Sequence, residues 1–126
     1  MDGLQYQQIG WNEEFIKHFM NLWETQNIHY GTPKWPDGWF EFMKELNDRN
    51  NFDMFAMSEN NEVISVHFIF KFNDYIYCNS PLYDKEKYDR ISLGRLMWYN
   101  LIRFSIERKY CNFLDLEENN NGDTFI

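Results

Sequence analysis

Residue 52 divides this chain into two hydrophobic periods, and that change constrains the fold more than any other feature of the sequence. Upstream, apolar residues recur at helical spacing: Phe15, Phe19, Leu22 and Trp23 in one stretch, then Phe40, Met43 and Leu46 in the next. Downstream the spacing becomes two. Across residues 63–72, Ile64, Val66, Phe68, Phe70 and Phe72 alternate with polar Ser65, His67 and Lys71, so a strand puts the first set on one face and the second on the other. Two helices followed by consecutive strands need a sheet with helices packed on it, which is an α+β architecture.

The remaining elements follow from local signals. Residues 4–9 alternate weakly and read as a first strand. Asn12 caps the first helix, with Glu13 and Glu14 in its first turn. Gly and Pro punctuate residues 29–38 into a loop, and Asn50 and Asn51 close the second helix. Residues 52–58 and 63–72 form an antiparallel pair around the tight turn Glu59-Asn60-Asn61-Glu62. A third strand carries Tyr75, Tyr77 and Asn79 in alternation with Ile76 and Cys78. Leu93, Leu96, Met97, Leu101 and Phe104, with Trp98 beside them, give the stripe of a helix running to about residue 109, and residues 112–116 return as a strand. The expected product is one domain over residues 1–126. It has a mixed, mainly antiparallel sheet of about five strands with helices on both faces.

Composition narrows the function. A formal charge of −8 argues against general nucleic-acid or anionic-membrane binding, which depend on cationic surface. Two cysteines, Cys78 and Cys111, lack a metal-binding spacing, so no metal site is expected. The N-terminus is polar, and no run reaches the roughly 18 apolar residues of a membrane span, which gives a soluble, cytoplasmic expectation.

The junction between the third strand and the third helix carries the clearest chemical signal. Arg90, Ser92, Gly94 and Arg95 surround a helix start, where unpaired amides and the positive end of the helix dipole favour an anion. A phosphate-bearing cofactor fits there, with the amides near Ser92, Leu93 and Gly94 and the cations of Arg90 and Arg95 as its contacts. Ser92 before an apolar run also reads as an ordinary N-cap, and Asp84, Glu86 and Asp89 dilute the charge of Lys85, Lys87 and the two arginines.

The order strand, two helices, three-strand meander, helix, strand resembles the GNAT acyltransferase superfamily. Three segments resemble its FemAB-like branch of peptidoglycan-bridge and related acyltransferases. Tyr30-Gly31-Thr32-Pro33-Lys34-Trp35-Pro36-Asp37-Gly38-Trp39-Phe40 is similar to the branch's "GTP…P…FF" entry to its second helix. Arg90 to Trp98 is similar to the start of its cofactor helix, and Tyr110 to Leu116 to its "G…fDfG" strand. The chain departs from the common pyrophosphate signature Q/R-x-x-G-x-G/A: Ile91 stands three before Gly94, Arg90 is one place early, and Leu96 occupies the final small position. Glu117 stands where the branch has Gly. The chain stops about where family members continue into another helix and a closing hairpin, which makes it a truncated domain, a fragment or a degenerate relative.

The resemblance implies transfer of an acyl group, acetyl above all, from acetyl-CoA or another acyl-CoA to an amine on a small molecule or peptide. In the family the sheet splays between the strands here ending near Asn79 and beginning near Asn112. The acyl oxygen would meet a backbone amide at Asn79 or Ser80. Tyr77 would act as acid or orienter, and His67, Asp115 and Glu117 are three candidate bases. The alternative is a non-catalytic GNAT-like domain that uses an open sheet edge and aromatic surface for assembly, a homodimer included.

Overall fold

The structure is a computed structural model that describes residues 3–27, 34–73, 75–88, 92–111 and, through their backbone, 113–116. Along these residues run β1 (Leu4–Ile9), α1 (Glu13–Gln26), α2 (Trp39–Asp48), β2 (Phe52–Glu59), β3 (Glu62–Phe72), β4 (Tyr75–Cys78), β5 (Leu82–Tyr83), α3 (Lys85–Tyr88), α4 (Leu93–Glu107) and β6 (Phe113–Leu116). Asn12 begins α1 as its spacing predicts. Its Oδ1 accepts the Phe15 amide at 3.0 Å, which satisfies one of the first-turn donors.

The sheet order is β1-β2-β3-β4-β6, with β5 also beside β3. Every pair is antiparallel except β4 with β6, which is parallel. Because β4 and β5 both lie along β3, the sheet is five positions wide. Asn60 and Asn61 turn the β2–β3 hairpin with φ of 50° and 69°, left-handed angles that Asn tolerates better than other side-chain-bearing residues.

Helices cover both faces. Ile16 and Phe19 of α1 and Met43 of α2 pack on Phe52, Met54, Ala56, Val66, Phe68 and Phe70. On the opposite face, Trp98 and Leu101 of α4 meet Phe55, Ile69, Ile76 and Cys78, while Leu93 and Met97 meet Met57 and Ile64. Trp98 is thus core, and α4 ends at Glu107, two residues short of the expected end.

Two irregularities revise the expected faces. Met57 pairs with Ser65 but Ser58 pairs with Val63, so Ile64 is an extra residue in β3. That bulge turns Ile64 to the α4 side, away from Val66 and Phe68, with which simple alternation had placed it. The second bulge joins β4 to β5. Ile69 pairs with Cys78 and Val66 with Leu82, so three residues, Asn79, Ser80 and Pro81, stand opposite two, His67 and Phe68. The face shared by Ser65 and His67 is also not the polar one expected: both are completely buried beneath α4.

Candidate active site

The β4–β5 bulge is the centre of the candidate site. Among the described residues, β4 pairs with β6 as far as Cys78 with Leu116, and β5 continues along β3. The Asn79 amide donates to the Phe68 carbonyl at 3.1 Å. Of the two amides expected to meet an acyl oxygen, that of Asn79 is therefore committed to the sheet. The other candidate is the next amide, at Ser80. Pro81 has no amide to offer.

α4 starts beside this bulge. Ser92 precedes it with φ 54° and makes no side-chain cap, so its exposed hydroxyl is not spent on the helix. Among the described residues, the first bond of α4 runs from the Leu96 amide to the Ser92 carbonyl, and the amides of Leu93, Gly94 and Arg95 have no acceptor within the helix. The Leu93 side chain is fully buried, leaving only its backbone for a ligand, while Arg95 is exposed. A Cβ on Gly94 would stand 3.0 Å from the Tyr83 hydroxyl, so glycine lets α4 approach β5 closely here. A helix start with a glycine in its first turn suits a pyrophosphate. Leu96, at the signature's final small position, is half-buried against the α4 core. Arg90 lies outside the described residues.

Of the catalytic candidates, Tyr77 is half-buried on the α1/α2 face, 6.3 Å between ring centroids from Phe70. Its register partner on β6 is Asp115. Glu117 lies outside the described residues. His67 is fully enclosed, with the Trp98 ring at 5.0 Å and the Tyr6 ring at 6.3 Å between centroids, and neither ring nitrogen has a hydrogen-bond partner among the described residues. Burial lowers its pKa to about 3, so it is neutral and sealed from any incoming amine.

Sequence reading missed a second polar cluster. The Asp53 carboxylate accepts the Tyr110 hydroxyl and pairs with Lys71 at 2.9 Å, tying the end of α4 to β2 and β3. Burial and that carboxylate hold the Tyr110 hydroxyl well above the usual phenol range. Residues 53, 71 and 110 share no sequence spacing that would signal it. A cleft of about 520 Å³ between the end of α1 and the start of α3 was also unforeseen. Asp84 and Glu86 line it, and the Lys85 amide donates to Gln26 Oε1 at 2.6 Å beside it. Among the described residues, no cluster of metal-ligating side chains forms, and no helix is long and apolar enough to cross a membrane.

The family model described as "Acetyltransferase (GNAT) domain" matches residues 12–121. No curated protein matches in sequence. Solved structures share the fold. An aminoglycoside acetyltransferase from an uncultured soil metagenomic sample, in complex with sisomicin, is 16% identical over 97% of this chain and 82% of its own, with a TM-score of 0.66. A GNAT family acetyltransferase of Staphylococcus aureus is 15% identical over 98% and 93%, with a TM-score of 0.60. A predicted acetyltransferase of Clostridium acetobutylicum, with acetyl-CoA, is 16% identical over 94% and 83%, with a TM-score of 0.62.

Proposed function

This chain belongs to the GNAT acetyltransferase family, whose donor is acetyl-CoA, and from that premise we propose that it acetylates an amine on a small, cationic molecule. The observation that carries this reading is the β4–β5 bulge beside the start of α4. The bulge interrupts the regular run of the chain along β3, and the adjacent helix start offers amides to a pyrophosphate. Ser92, Leu93, Gly94 and Arg95 hold the phosphates in this reading, joined by Arg90. The Ser80 amide receives the acetyl oxygen, stabilising the negative charge that develops on it.

The transfer is balanced as follows. The amine nitrogen bonds to the acetyl carbonyl carbon, the C–S bond breaks with its electron pair on the coenzyme A sulfur, and that sulfur takes up a proton. Tyr77 supplies the proton. The proton lost by the amine goes to Asp115, the register partner of Tyr77, since His67 is enclosed. A cationic acceptor is favoured by the net charge of −8. The aminoglycoside acetyltransferase among the similar structures acts on acceptors of this kind, as its name states. Similarity of residues 30–40 and 110–116 to the FemAB-like branch supports a place in that branch.

Thermal unfolding with and without millimolar acetyl-CoA, with ATP as phosphate control, tests the reading. Occupancy at 100 times the dissociation constant adds about 2.7 kcal/mol, a rise in midpoint of roughly 5–15 °C. A rise with acetyl-CoA that Arg95→Ala diminishes supports it; equal shifts with ATP and acetyl-CoA, or none, count against it.

A further inference from the structure

We propose that the side-chain oxygen of Asn79 receives the attacking amine, accepting one of its N–H groups and so aiming the nitrogen at the acetyl carbon. This rests on the acetyl-transfer reading above. Asn79 follows the last residue of β4, and the hydrogen bond from its backbone N–H to the Phe68 carbonyl makes the two residues cross-strand partners. Cross-strand partners share a face, and Phe68 packs with α1 and α2. Asn79 therefore belongs to the face of Tyr77, opposite the face on which α4 packs.

Asn79 is half-buried, unlike the fully enclosed His67, while its Oδ1 is turned away from solvent and has no hydrogen-bond partner among the described residues. A buried carbonyl oxygen left unpaired is costly, and native proteins retain few of them. An acceptor of this kind needs a donor from outside the protein. At the reacting centre the acetyl thioester presents a carbonyl oxygen and a sulfur, neither carrying a hydrogen. The incoming amine brings its N–H to the carbonyl carbon itself, whereas the nearest N–H of coenzyme A lies two carbons beyond the sulfur. A carboxamide oxygen does not take up a proton at neutral pH, so Asn79 orients the amine while the base removes its proton.

The test uses the full chain with sisomicin and spermidine as amine probes. In Asn79→Leu, which removes the acceptor oxygen at similar volume, the KM for the amine rises about tenfold while the acetyl-CoA dissociation constant stays within twofold of wild type. The ligand-free midpoint of that variant rises, because the unpaired oxygen is gone. Asn79→Asp, which keeps an acceptor oxygen, retains the amine KM within threefold. An unchanged amine KM in Asn79→Leu overturns the proposal, and so does a lowered midpoint, which would mean the oxygen has a partner within the protein. A rise in the acetyl-CoA constant parallel to KM also overturns it, since the oxygen would then serve the donor. So does failure of the acetyl-CoA-loaded wild type to acetylate either probe. Absence of acetyl-CoA binding in the wild type is a separate result: it brings down the transfer reading itself.

Discussion

His67 shows how far a side chain's chemistry depends on its neighbours. An imidazole with an ordinary pKa is a natural base, and its place among alternating polar residues suggested a solvated face. The structure instead seals it under Trp98 and beside Tyr6, where burial lowers its pKa to about 3. The stability consequence has a definite sign. The folded pKa lies below the unfolded value near 6.5, so below pH 6.5 the unfolded chain takes up a proton that the folded imidazole refuses. Stability is complete above pH 6.5 and declines toward pH 3 by about 1.4 kcal/mol per unit. His67→Leu should flatten the dependence of the unfolding midpoint on pH between 6.5 and 4.5. Parallel curves for variant and wild type would remove His67 as the cause. Asn79 is the converse case: the sequence marked its backbone amide as a candidate, and the register of β3 with β4 gave its side chain a place.

At the scale of elements, local chemistry and long-range pairing contributed differently. β1, α1, α2, β2 and β3 were legible because caps, turns and hydrophobic period are local: Asn12 caps α1 and Asn60-Asn61 turns the hairpin, as read. β5, α3 and both bulges were not legible, because two-residue strands and inserted residues leave no period to detect. The contact of α4 with β5 at Gly94 makes this testable. Replacing glycine by alanine in a helix gains up to about 1 kcal/mol, but here the added methyl meets the Tyr83 hydroxyl. Gly94→Ala should therefore be near neutral in the wild type and stabilising by about 1 kcal/mol in a Tyr83→Phe background. Denaturant midpoints of the four proteins of that cycle check it, and simple additivity would show that the hydroxyl does not limit the approach.

For the molecule as a whole, an excess of acidic residues sets the long-range field. A charge of −8 on 126 residues repels itself and attracts cations, and both effects are screened by salt. The unfolding midpoint should accordingly rise between 20 and 200 mM NaCl, while kcat/KM for a polycationic amine falls over the same range. A kcat/KM indifferent to salt would argue for a neutral acceptor. Sequence alone determined the α+β class, the order of the main elements and the location of the helix start suited to phosphate, because those depend on hydrophobic period, caps and turns written within a few residues of one another. Tertiary structure alone decided that the Asn79 amide is spent on Phe68, that His67 is sealed while the Asn79 oxygen is unpaired among the described residues, and that Tyr77 is in register with Asp115. These depend on strand register, and one inserted residue in a β-strand reverses the face of every side chain beyond it.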